Sequence, residues 1–136
     1  MKKCTSFIVV LFCIVMLMAC SKSDMSVTII TSGNYHMELS QEQQNNEKIA
    51  PVITINIDDK SFLFSYDVLS SYINIGTYEI NDNILTATTS DEKYHYVFEI
   101  VDENTLSFLE EQSSKITVFD TAFSVVPQNG AVFQKE

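Results

Sequence analysis

The chain has 136 residues, 46% of them hydrophobic and 11% aromatic, with a formal net charge of −10. That length supports one domain and not two. The acidic balance speaks against nucleic acid and anionic lipid headgroups as partners, because both repel a negative surface.

In chain order the first feature is a targeting segment. Lys2 and Lys3 form a basic cap, Phe7–Met18 is an apolar run, and Leu17-Met18-Ala19-Cys20 leads abruptly into Ser21-Lys22-Ser23-Asp24. The apolar run is of secretory length, shorter than the roughly 20 apolar residues of a transmembrane helix. The tetrapeptide resembles the lipobox of bacterial lipoproteins. That resemblance implies a signal peptide over 1–19, cleavage between Ala19 and Cys20, and a diacylglycerol on Cys20, with 20–26 as a tether and 27–136 as the domain. The expected location is the extracytoplasmic face of a cell membrane, held by lipid; two or more acyl chains anchor stably where one does not. The three cysteines are Cys4, Cys13 and Cys20, so the domain itself has neither a disulfide nor a free thiol to stabilise it. All eight basic residues are lysines, and beyond the basic cap six of them face 18 acidic residues.

From residue 27 the pattern is strand-like. Val27–Thr31 runs into a turn at Ser32-Gly33-Asn34, and Tyr35, Met37 and Leu39 then alternate with His36 and Glu38, the period of a half-buried strand. A polar stretch, Gln41–Lys48, is expected to be a loop with a helical turn. Val52–Ile57 turns at Asp58-Asp59-Lys60 into Phe62–Tyr66. Thr77–Ile80 turns at Asn81-Asp82-Asn83 into Ile84–Thr89. Tyr94–Val101 turns at Asp102-Glu103-Asn104 into Leu106–Leu109. Asp and Asn suit such corners because they bond the local backbone and tolerate left-handed geometry. Glu110–Ser114 reads as a loop, Lys115–Val126 as a further strand, Pro127–Gly130 as a turn and Ala131–Phe133 as the strand that closes the sheet.

Eight or nine short strands without an amphipathic helix predict an all-β fold. The form expected is an antiparallel meander giving a small lipocalin-like or partly open up-and-down barrel. Tyr94, Tyr96, Phe98 and Ile100 share one face and, with Phe62, Phe64, Tyr66, Tyr78 and Phe108, would make an aromatic interior. The other face (His95, Val97, Glu99, Val101) is mixed and expected to be half exposed.

Residues 51–133 also resemble a β-rich module of low-GC Gram-positive bacteria, found in small lipoproteins and as a tail on antirepressor-type membrane metallopeptidases. The resemblance lies in Phe62-x-Phe64, Ser70-Ser71-Tyr72, Gly76-x-Tyr78, Leu85 with Thr88, Tyr94-x-Tyr96-x-Phe98, Leu106-x-Phe108, Ser113-Ser114 and Gly130-Ala131-Val132-Phe133. These are packing and turn residues, so they imply a fold. The peptidases' His-Glu-x-x-His motif is absent, since Met37 follows His36 and Tyr96 follows His95, and no peptidase activity carries over.

No constellation of side chains points to catalysis. His36 and His95 stand in no zinc-binding spacing. Asp58-Asp59 and Asn81-Asp82-Asn83 lack the twelve-residue pattern of a calcium loop. Ser70-Ser71-Tyr72 has no glycine-flanked elbow. The expectation is a protein without enzyme activity, cofactor or metal. It would be a membrane-anchored binding domain for a small apolar ligand, a peptide or a protein partner. The alternative is a regulatory or protective lipoprotein acting on an envelope peptidase or sensor, or on cationic antimicrobial peptides.

Overall fold

The computed structural model describes residues 29–136. Eight antiparallel strands close into a barrel, each strand paired with the next in sequence and the last with the first. They are β1 (Gly33–Met37), β2 (Val52–Asn56), β3 (Ser61–Ser65), β4 (Asn74–Asn81), β5 (Ile84–Thr89), β6 (His95–Asp102), β7 (Thr105–Phe108) and β8 (Val132–Lys135). A five-residue helix, α1 (Gln41–Asn45), lies between β1 and β2. It starts where Ser40 and Gln43 bond each other's backbone N–H groups reciprocally, which satisfies two donors that the first turn leaves open. Closure comes from Tyr35↔Lys135, His36↔Gln134 and Met37↔Phe133. The ring thus has no unpaired strand edge.

The alternating pattern sends one side chain of each pair inward. Tyr35, Ile53, Ile55, Phe64, Leu85, Phe98, Leu106 and Phe133 are almost completely removed from water. Phe64 is the hub, with ring centroids of Tyr66, Tyr96, Phe98, Phe108 and Phe133 between 5.0 and 6.4 Å away. Most of these contacts are edge-to-face, the arrangement that aligns the ring quadrupoles favourably. An eight-stranded barrel is just narrow enough for side chains to fill, and here aromatic rings fill it. Gly76 on β4 makes that tightness possible. A Cβ there would run into the Thr88 carbonyl oxygen and lie 2.8 Å from Thr89 Cα on β5, so only glycine permits the approach.

The two poles of the barrel differ. At one pole are the tight corners 57–60, 82–83 and 103–104. Asp82 and Asn83 both take positive φ (48° and 62°), the geometry of a two-residue hairpin turn matched to strand twist. Residues 29–32 enter at this pole, where Ile30 is buried and the Tyr35 hydroxyl donates to the carbonyls of Thr31 and Glu103 at 2.6 and 3.1 Å. The opposite pole carries the long connections 38–51, 66–73, 90–94 and 109–131.

Several expectations change, among them the turn at Ser32-Gly33-Asn34, since Gly33 and Asn34 are already paired with β2. Residues 29–31 form no strand, because the closed ring offers them no edge to pair with; residues 27 and 28 lie outside the described residues. Lys115–Val126 is not a strand either. Its alternation is real, since Ile116 and Val125 are buried in the core and Val118 packs against it, but it reports one covered face without a ladder partner. Tyr94 is not interior: it sits beyond the start of β6 and is 38% exposed. Of the mixed face of β6, His95, Glu99 and Val101 point to water as expected, whereas Val97 is buried. The 3₁₀ turn Glu110–Gln112 folds the chain over it, and the Val97 N–H donates to Ser113 Oγ at 2.8 Å while its carbonyl accepts from Leu109 N–H.

Candidate functional site

The loop pole is built outward from the aromatic plug. Above Phe64, the Tyr96 hydroxyl donates to Asn74 Oδ1 at 2.6 Å, and the Tyr66 hydroxyl lies 3.1 Å from that of Tyr96. Asn74 is buried at the start of β4, so this bond satisfies an oxygen that would otherwise be stranded away from water. Burial, and then the neighbouring Tyr66, push the Tyr96 phenol far up, out of reach of ionisation at any ordinary pH. The trio is a polar lid on an apolar interior.

Asp67, just past β3, organises the loops around this lid. Its Oδ2 accepts the Phe119 N–H at 2.6 Å. Its Oδ1 accepts from Leu69 N–H at 3.1 Å and from Asp120 N–H and Ser124 Oγ at 3.4 Å. The Phe119 N–H above all holds the Asp67 carboxyl below its usual range, assisted by the other donors, because hydrogen bonds to a carboxylate favour its charged form. One side chain thus pins segment 115–126 over the barrel mouth. The segment is also held from its other side: Lys48 Nζ donates to the carbonyls of Thr121 and Ala122, and Ile49 N–H to that of Phe123. Asp120 caps its own turn by accepting from Ala122 and Phe123 N–H; its Oδ2 is buried with no hydrogen-bond partner.

A second carboxylate organises the 90–94 turn. Asp91 Oδ1 accepts from the Tyr72 hydroxyl at 2.7 Å and from Thr89 Oγ1 at 2.8 Å, and Oδ2 lies 3.3 Å from Lys93 Nζ. The Tyr72 hydroxyl, followed by Thr89, holds the Asp91 carboxyl well below the ordinary range. Tyr72 and Tyr94 meet edge-to-face at 5.3 Å beside it.

Around these anchors the pole exposes apolar side chains. Phe119 is 81% and Leu69 69% exposed, and Val68 and Ile73 are more than half exposed. Between them lie two clefts. One of about 340 Å³ is lined by Ile49, Ala50, Val52, Ser65, Tyr66, Asp67, Val68 and Ser124. The other, of about 120 Å³, reaches from Phe64 and Tyr66 to Tyr72, Ile73 and Asn74. They share Ser65, Tyr66 and Asp67, so the two clefts adjoin across the end of β3 with Asp67 between them, and together they make a two-part trough.

The residues singled out in the sequence are scattered. His36 Nε2 lies 3.4 Å from Glu136 Oε2, and His95 Nδ1 lies 3.2 Å from Ser114 Oγ. Among the described residues no three His, Cys, Asp or Glu side chains gather as metal ligands. Asp59 accepts from the Ser61 hydroxyl and N–H, the work of a hairpin corner. Ser70 Oγ accepts the Tyr72 N–H and donates to its carbonyl, a local turn. Ala19 and Cys20, with the 1–19 and 20–26 boundaries, lie outside the described residues. Sequence reasoning did not single out Asp67 or Asp91 as anchors of the loops. The available signal was an Asp outside the alternating runs whose side chain can accept from the N–H two residues on, Asp67-x-Leu69 and Asp91-x-Lys93. The long-range partners of Asp67 had no such signal. No family model matches the chain, and comparison with curated proteins and with solved structures finds no match either.

Proposed function

We propose that the chain is a membrane-tethered, extracytoplasmic binding domain without catalysis of its own, which offers its loop pole to a peptide or protein partner. The observation that carries this reading is the distribution of apolar surface. Ile49, Val68, Leu69, Ile73, Phe119 and Phe123 stand out on the pole opposite the entering chain, and a smaller exposed apolar group, Ile29, Ile57, Ile80 and Val101, surrounds the entering chain itself, while rings fill the barrel interior. Exposed apolar groups gathered on one face, where burial against a partner would be favourable, mark interaction surfaces. The filled interior favours capture at the surface over capture of a small apolar ligand inside. The tether rests on the lipobox resemblance at Leu17–Cys20. A tether entering at the hairpin pole leaves the loop pole facing away from the bilayer.

A photo-crosslinking side chain at Leu69, with Glu99 on the barrel wall as control, tests the surface in intact cells. A discrete adduct from position 69 alone is expected; equal adducts from both positions, or none, would overturn the reading. For the anchor, mass spectrometry of the detergent-extracted protein should give a chain beginning at Cys20 with acyl groups attached.

A further inference from the structure

We infer that the trough across the end of β3 takes an extended peptide segment in which a basic residue lies between two apolar ones. The inference rests on the reading of the loop pole as a docking surface and names what docks. Three observations carry it. The trough has two apolar wings and a charged centre: Ile49 and Val68 line one side, Tyr72 and Ile73 the other, and Asp67 sits between. An extended chain places alternate side chains on one face, so apolar, basic and apolar groups can meet these three regions in turn.

The second observation is charge. Loops 38–51, 66–73, 90–94 and 109–131 carry nine acidic residues against three lysines. Of those lysines, Lys48 is tied to the carbonyls of Thr121 and Ala122, and Lys93 is paired with Asp91. A cationic segment therefore meets an attractive field on approach, and an anionic one a repulsive field. The third is the bonding of Asp67 itself. Its four donors keep the carboxylate charged and fixed in place, so a peptide ammonium or guanidinium meets a negative charge that is already oriented. The edge-to-face pair Tyr72 and Tyr94 adds aromatic surface of the kind that attracts cations.

The test uses the full-length protein and three end-capped octapeptides that differ only at their centre: Leu-Lys-Leu, Leu-Ser-Leu and Leu-Glu-Leu, flanked by glycine and serine. Affinity is read by fluorescence anisotropy at low and high salt. The lysine peptide is expected to bind about tenfold or more tighter than the glutamate peptide, as for a charge contact that turns from attractive to repulsive. Its advantage should shrink as salt shortens the range of the field. A Val68→Ser, Ile73→Ser double variant should weaken the lysine peptide about tenfold, while Val101→Ser at the hairpin pole should not; all three positions are exposed, so the fold is not at stake. Equal binding of all three peptides without salt dependence would overturn the basic centre and leave the docking surface standing. An unaffected double variant would overturn the trough as the place. Failure of every peptide to bind would overturn both.

Discussion

Tyr96 stands where the aromatic interior meets the loops, and its hydroxyl is the donor that Asn74 Oδ1 uses. Tyr96→Phe keeps the ring and strands that oxygen, which costs about 1–3 kcal/mol when the orphaned group is buried; urea denaturation of the two proteins measures it. Asp91 predicts a pH effect. Its folded pKa lies below the ordinary 3.8, so on acidification the unfolded chain takes up its proton first. Its contribution is therefore complete above about pH 4 and is lost as the pH falls through the lower, folded value. Asp91→Asn should melt at a lower temperature than the parent at pH 7, with the gap narrowing by pH 2.5. At this scale the sequence was only half legible. Asp91 bonds Thr89 and Lys93, close neighbours, but also Tyr72, nineteen positions away along the chain, and no local pattern announces that partner.

The hairpins were legible because each is a local affair. Asp59 bonding Ser61, and Asp82 with Asn83 at positive φ, are decided within a few residues, and the alternation on either side fixes which face turns inward. Segment 115–126 shows where this reasoning ends. Ile116 and Val118 alternate as a strand would, yet pairing requires a free edge, and the ring formed by the other strands has none. What holds the segment is Asp67, distant in sequence. Asp67→Ala should release it. Tryptic cleavage after Lys115 is then expected to accelerate strongly, while far-ultraviolet circular dichroism keeps the barrel signal; unchanged cleavage would show that Lys48 and the buried Ile116 suffice.

Over the whole molecule, the packed core and the proposed interaction surface are separated in space. Phe64 touches five other rings, so Phe64→Ala should cost about 3–5 kcal/mol, the usual toll of an aromatic removed from a packed core. Phe119→Asp changes a side chain that is 81% exposed and should stay within about 0.5 kcal/mol. Paired denaturant titrations compare them, and similar losses would mean that the loop pole is part of the core. The all-β architecture and its aromatic interior could be read from alternation alone. The proposed docking trough could not, since Ile49 comes from the 38–51 connection and Asp67 and Tyr72 from 66–73, and the two connections meet only once the barrel exists.

The pairing of β8 with both β1 and β7 has a consequence for how the molecule comes into being. A nascent chain that has emerged only as far as Gly130 has every other ladder available but lacks the stave that joins its two ends. Until Val132–Lys135 appear, two rows of backbone donors and acceptors stand open toward each other across a gap one strand wide, and another unfinished copy could fill it. The cylinder therefore cannot seal before Val132–Lys135 have been made.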